Sequence, residues 1–220
     1  MNHDFLERYI EEAYKNFGFD QGWRLWYHPR ALADSRLPVL VMPINPGVGG
    51  NWQNHPRYSQ ERGSAFKEEE WGPLSQMKDP IPELLSLAGL NIERLLYANW
   101  VPFRSNKEQV LTKHPKWSEI NEWCVDLWRQ ILAEIEPRLI LSFGSTPRDG
   151  LRSVLGLPSD TREEKVPRLC TFRLDVYSGR KLRVMALPYP KTQSYSLLDQ
   201  PVRPITDKWL RVLKKSATTG

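Results

Sequence analysis

An α/β fold, with a central and mainly parallel four-stranded sheet flanked by helices, is what this 220-residue sequence predicts. Three observations lead there. Four short apolar runs recur: "PVLVMPIN" (38–45), "RLLYANWVP" (94–102), "RLILSFG" (138–144) and "LRVMALP" (182–188). They are nearly continuous in their hydrophobicity, as strands buried on both faces are. Helical patterns separate them, which is the signature of parallel strands joined by crossover helices. Each run leaves through a turn built from Asn, Pro or Gly. A chain of this length is cramped for two well-packed units, so residues 1–220 are expected to form a single three-layer domain.

Taken in order, residues 4–17 read as a helix, with Phe5, Tyr9, Ala13 and Phe17 recurring every fourth position. The first strand follows at 38–45. Residues 48–79 are polar and long for a loop, and loops of that length usually serve a function. "PIPELLSLAGL" (80–90) is a short helix with proline at its start and glycine near its end. After the second strand, Trp117, Ile120, Cys124, Leu127, Ile131 and Ile135 form one helical stripe that Pro137 stops. The third strand and a short helix (147–155) come next. Residues 166–176 are compatible with a strand, and "YSGRK" (177–181) turns into the fourth core strand. A last helix, rich in Lys and Arg, covers 204–215.

Charge is unevenly spread. Residues 137–220 carry 16 Lys and Arg against 7 Asp and Glu, whereas residues 1–136 carry 15 against 19. The basic C-terminal part points to a polyanion as partner, or to an ordinary solvated basic surface. No run approaches the roughly 20 apolar residues of a membrane span, so no membrane partner is expected. The first residues are acidic and amphipathic, unlike a secretory leader. Two cysteines, Cys124 and Cys170, build no disulfide framework and favour a reducing, cytoplasmic setting. The four histidines (His3, His28, His55, His114) lack metal-ligand spacing. Neither a metal nor a cofactor is called for, and no G-x-G-x-x-G or Walker sequence supports a nucleotide-binding enzyme.

In an open parallel sheet, ligands bind at the carboxyl ends of the strands. The residues found there are Asn45-Pro46-Gly47, Asn99-Trp100-Val101-Pro102, Gly144-Ser145-Thr146-Pro147 and Pro188-Tyr189-Pro190-Lys191. Two of these exits carry an asparagine, a poor strand residue that offers both hydrogen-bond donors and an acceptor. Asn45 can position a water. Pro46 stiffens the backbone behind it, and Gly47 permits close approach of a ligand. Asn99 can read the edge of a base. Each asparagine alone is also a common turn former.

"PINPG" (43–47) resembles the first motif of the uracil-DNA glycosylase superfamily, closest to its mismatch-specific and single-strand-selective branches, where the pattern is Gly-x-Asn-Pro-Gly. "YANWVPF" (97–103) is similar to that superfamily's second strand. "EWCVDLWRQILAEIEPRLILSFGSTP" (122–147) resembles its helix–Pro–strand–Gly segment. "LPYPKTQS" (187–194) resembles its last motif, commonly His-Pro-Ser, followed by a loop that enters DNA. The likeness runs in order over residues 38–195. Pro43, Leu187 and Tyr189 depart from it, standing where Gly, His and Ser are usual. That histidine usually steadies the leaving base, so Leu187 leaves the role unassigned; backbone N–H groups of residues 46–50 and the Tyr189 hydroxyl are candidates.

The resemblance implies a monomeric, monofunctional glycosylase-like protein that flips a pyrimidine out of DNA, single- or double-stranded, and hydrolyses its N-glycosidic bond. Asn45 would be the catalytic residue. Pro46, Gly47, Val48, Gly49, Trp52, Phe66, Asn99 and Tyr189 would surround the base. Ser145, Lys191, Thr192, Gln193, Ser194, Tyr195 and Arg203 would contact DNA. Val48-Gly49-Gly50 lacks the aromatic wall that excludes 5-substituents in strict uracil enzymes. The pocket is therefore expected to admit uracil and also 5-modified cytosines, such as the hydroxymethylated or glucosylated bases of phage DNA. DNA repair and anti-phage defence both follow as roles. A non-catalytic DNA-binding protein on the same fold is the alternative, and Leu187 favours it. Trp71 and Trp100 are further stacking candidates. Glu68-Glu69-Glu70 reads as a solvated charge run, and His55 as structural or exposed.

Overall fold

The computed structural model describes residues 1–35, 37–47, 57–59, 63–69, 80–105, 108–189, 196–200 and 202–218. Six strands form one mixed sheet: β1 (Val39–Met42), β2 (Leu96–Tyr97), β3 (Leu139–Phe143), β4 (Asp160–Val166), β5 (Cys170–Tyr177) and β6 (Leu182–Leu187). Their order is β2-β1-β3-β6-β5-β4. The first four are mutually parallel, with Leu40 beside Leu96 and Ile140, and Ile140 beside Val184. These are the four apolar runs of the sequence. The four-stranded expectation is nonetheless incomplete: β5 and β4 extend the sheet antiparallel beyond β6.

Helices cover both faces: α1 (His3–Phe17), α2 (Arg30–Ala33), α3 (Ala65–Glu68), α4 (Pro80–Leu87), α5 (Glu108–Thr112), α6 (Trp117–Ile135), α7 (Ser145–Leu155) and α8 (Arg203–Thr218). Alternation along the strands divides the apolar side chains into two cores. Leu40, Met42, Ile140 and Val184 point toward α1, α6 and α7. Val39, Val41, Leu141 and Met185 point toward α4 and α8. The Asn2 side chain caps α1 by accepting from the Phe5 N–H at 3.0 Å, and Gly18 ends it in the left-handed region. In α1 the buried stripe is Leu6, Ile10 and Ala13. Phe5, expected inside, is 44% exposed. α6 buries Ile120, Cys124, Leu127, Ile131 and Ile135 as the spacing predicts, while Trp117 is only half-buried.

Candidate functional site at the carboxyl ends of the parallel strands

Because β2, β1, β3 and β6 are parallel, their carboxyl ends share one rim of the sheet. Backbone bonds order the chain there. Beyond β1, the Pro43 and Ile44 carbonyls accept from Trp100 and Val101 N–H at 2.9 and 2.7 Å, and the Pro46 carbonyl accepts from Ser105 N–H at 3.3 Å. On the other side of this second segment runs residues 22–27. Tyr27 N–H donates to the Tyr97 carbonyl, Asn99 N–H to Leu25, and Arg24 N–H to Pro102. Antiparallel bridges Trp23–Phe103 and Trp26–Ala98 fix the register. The exit of β2 is thus held between the exit of β1 and an extended strip near the N-terminus, which the sequence reading did not anticipate.

Asn45 is half-buried on this rim. Its Nδ2 donates to the Ser105 Oγ at 3.1 Å and to the Pro46 carbonyl at 3.0 Å. The Pro46 carbonyl and the Ser105 carbonyl, at 3.4 Å, can only accept, so the amide orientation follows from them and Oδ1 is the atom left to act as an acceptor. Gly47 beside it is exposed, and a side chain there would meet nothing within 4 Å. Arg104 donates from Nη1 to the Gly47 carbonyl at 2.9 Å and braces the turn from below. Burial lowers the pKa of that guanidinium from its ordinary value.

Asn99 is fully buried. Its Nδ2 donates to the Arg24 carbonyl at 3.2 Å. Its Oδ1 is buried and accepts no hydrogen bond. A buried orphan acceptor costs about 1–3 kcal/mol and calls for an explanation such as a ligand donor. Nearby, Arg24 grips Glu69 through two bonds of 2.5 and 2.7 Å, both side chains almost fully buried. That corrects the expectation for the acidic run: Glu68 is exposed, but Glu69 is an internal ion-pair partner. The pair draws residues 63–69 onto the rim, where the Ala65 N–H also donates to the Tyr27 carbonyl at 2.9 Å.

Phe66 comes with that segment. Its ring lies edge-on to Tyr97 at 4.8 Å and tilted to Tyr27 at 6.0 Å. Burial pushes the Tyr97 hydroxyl well above its ordinary value, with Tyr27 and Tyr189 adding to the effect, so it stays a neutral phenol. Tyr189 lies over Gly144, whose hypothetical Cβ would sit 3.1 Å from the Tyr189 ring. Ser145 is exposed at the first turn of α7. Arg203 starts α8, with Nε donating to Asp207 at 2.7 Å. Trp100 is no stacking platform: it is fully buried, aligned with Trp128 and bonded through Nε1 to Asn121. Leu187 is a core residue beneath the rim. Val48, Gly49, Trp52, His55, Trp71, Lys191, Thr192, Gln193, Ser194 and Tyr195 lie outside the described residues.

The structure therefore brings Asn45, Gly47, Asn99, Ser145 and Tyr189 to the strand ends, and Phe66 to the Tyr97 end of β2. It adds Arg24, Tyr27, Glu69, Arg104 and Ser105, which sequence reasoning missed. The one available signal was arginine inside the tryptophan-rich stretch "GWRLWYH" (22–28), where a charge among apolar residues demands a buried partner. Among the described residues, no cluster of three or more His, Cys, Asp or Glu could hold a metal ion, and no helix is long and apolar enough to cross a membrane. No protein-family model matches the chain, and no curated protein matches it.

Proposed function

We propose that this protein is a monofunctional DNA glycosylase of the uracil-DNA glycosylase type, acting on a flipped pyrimidine that is uracil or a 5-modified cytosine. The observation that carries the reading is the Asn45 amide, clamped through Nδ2 so that Oδ1 is the acceptor left beside an open Gly47. An acceptor held in that way positions a water. It is a weak base, so its contribution is orientation rather than proton removal. The water oxygen bonds to the sugar C1′ as the C1′–N1 bond breaks. The bonding pair leaves with the base, and the water's proton follows.

Asn99 supports the same reading. Its orphan Oδ1 suits a donor on a pyrimidine edge, either the imide N–H of uracil or the amino group of cytosine. Phe66, against Tyr97, and Tyr189, over Gly144, supply aromatic surface at the same end of the sheet. With Leu187 packed in the core, the Tyr189 hydroxyl and the backbone of the Asn45-Pro46-Gly47 turn are the groups left to steady the departing base. Repair of deaminated cytosine and defence against phage DNA are both roles for such an activity. A second reading, a DNA-binding protein without chemistry, draws on Leu187 alone.

The test is base release. DNA containing uracil, a thymine mismatch, hydroxymethylcytosine or its glucosylated form is incubated with the protein, and free base and alkali-labile sites are measured. Release of one of these bases is expected, with Asn45→Ala reducing the rate by about 10²-fold or more. Binding without release from any of them would establish the second reading.

A further inference from the structure

The β4–β5 hairpin lies outside the motifs discussed so far. Its antiparallel pairing to β6 sets Arg173 beside Ala186 and Tyr177 beside Leu182. Followed toward the hairpin turn, the same register brings Cys170 level with Tyr189. The turn at Pro167-Arg168-Leu169 therefore emerges at the same end of the sheet as Asn45 and Asn99. The two faces of the hairpin differ. Phe172 and Leu174 pack into the core against α8. On the opposite face stand Glu163 paired with Arg173, and Lys165 paired with Thr171. Exposure there is high for Glu163 and Lys165 and intermediate for Arg173 and Thr171.

The charges on that face do not balance. Glu163 is shared by two cations, Lys165 at 3.0 Å and Arg173 at 2.5 Å. Arg168 is exposed at the tip, with no ion pair among the described residues. The one carboxylate of α7, Asp149, is held by Arg148 at 3.3 Å. Arg168 is also costly where it stands. The Leu169 N–H donates to the Val166 carbonyl at 3.0 Å, closing a turn with Pro167 at its second position and Arg168 third at φ 63°. That third position favours glycine, and a non-glycine residue kept there points to a use for its side chain.

We propose that the outer face and tip of the β4–β5 hairpin, through Lys165, Arg168 and Arg173, track the phosphodiester backbone of DNA flanking the nucleotide held at the rim. The face and tip carry three cations against one exposed carboxylate, Glu163, which complements a polyanion, and extended backbone with long basic side chains suits successive phosphates. The proposal rests on the DNA reading given above.

Binding of labelled duplex and single-stranded DNA across a salt series tests it. The Lys165→Glu/Arg168→Glu variant is expected to bind at least about tenfold more weakly. Its log–log salt slope should be shallower by about two, since each lost duplex phosphate contact removes about 0.9. Glu163→Gln should bind more tightly. Arg168→Gly should raise Tm while weakening binding, which separates a binding role from a folding one. Arg180→Glu, a single charge reversal in the turn at the opposite end of the sheet, is the control. If the double variant loses no more affinity and slope than this control, or Arg168→Gly gains Tm at unchanged affinity, the proposal is overturned. Base release by the wild type with an unchanged slope in the double variant would sink the hairpin alone. Failure of the wild type to bind DNA would sink the DNA reading with it.

Discussion

β1, β2 and β3 contain no charged residue, and β6 contains only Arg183, whereas β4 reads Asp-Thr-Arg-Glu-Glu-Lys-Val. The parallel strands keep their place by burying apolar side chains on both faces, the ordinary basis of such sheets. The antiparallel pair is held differently. One face of β5 packs under α8, with Phe172 against Trp209 at 5.8 Å. Beyond its backbone ladder to β5, the outer strand is tied by ion pairs: Glu164 with Lys208 of α8, and Glu163 with Arg173 of β5. Exposed pairs of this kind contribute about 0–1 kcal/mol each. The other face of β5 packs Tyr177 into the opposite core and carries one buried pair, Arg148 of α7 against Asp175. Two contacts of 2.8 Å join them, and the Thr161 hydroxyl donates to the same carboxylate at 2.8 Å. The parallel part is thus an apolar scaffold for the rim, and the antiparallel part is a charged arm joined to it by the β5–β6 ladder, the apolar face under α8 and one buried ion pair.

Breaking that pair is the largest effect expected. Asp175→Ala leaves the buried Arg148 guanidinium with only the exposed Asp149 carboxylate at 3.3 Å, a loss of up to about 3–5 kcal/mol. Urea unfolding measures it. The double variant Arg148→Met/Asp175→Leu should recover most of the loss, because an apolar pair of similar volume often replaces a buried ion pair without penalty. A cost below about 1 kcal/mol for Asp175→Ala would mean that the hairpin is held by its α8 face, and the contrast between the two halves would fail.

The same contrast explains what the sequence made legible. The four parallel strands announce themselves as apolar runs, and their exits carry Asn45, Asn99, Ser145 and Tyr189 at the end of the sheet where ligands generally bind in open parallel folds. β4 has no apolar period to read, because its outward side chains are satisfied by charges supplied from β5 and α8. Glu69 was hidden for a related reason. Three adjacent acids look solvated until Arg24, distant in sequence, is folded onto the middle one. Long-range charge partners leave no local pattern. Phe5 shows the opposite error: a spacing of four is consistent with two neighbouring stripes, and the core took Leu6, Ile10 and Ala13.

Acid should act on the apolar part before the charged arm. His28 is buried beside Trp26 at 4.9 Å between ring centres. Burial takes its pKa from 6.5 down to about 4, opposed by the hydrogen bond to the Pro29 carbonyl and assisted by His3 and Arg24. The folded protein therefore resists a proton that the unfolded chain binds near 6.5. Stability is full above that pH and is lost as pH falls through the interval to about 4, by up to about 3 kcal/mol. The hairpin carboxylate Glu163 is also lowered, from the ordinary 4.5, by bonds from Arg173 and then Lys165; for an acid this favours the charged form, so its pairs persist until the pH is below that range. Urea midpoints at pH 7.5, 5.5 and 4.5 should fall for the wild type and stay nearly flat over the upper interval for His28→Gln. An equal fall in both would place the acid sensitivity elsewhere.

The smallest effect concerns a single methyl group in the scaffold. Gly150 lies in the middle of α7, and a Cβ there would stand 2.1 Å from Trp100 Cζ2 and 2.5 Å from Cε2. In an open helix, alanine would gain about 1 kcal/mol over glycine. Here the indole must move first, and it is tied down: Nε1 donates to Asn121, and the Trp100 carbonyl accepts from Trp128 at 2.8 Å. Overpacking of this kind costs about 1–3 kcal/mol, so Gly150→Ala is expected to lose about 1–2 kcal/mol net. Trp100 directly follows Asn99 and bonds through its N–H to Pro43, two residues before Asn45. Displacing it shifts both rim asparagines together. Base release should therefore fall in folded Gly150→Ala protein, where a surface change on β4 such as Thr161→Ser leaves it unaltered. A Gly150→Ala protein with full stability and full release would show that Trp100 has room to move, and that close packing of α7 does not set the rim.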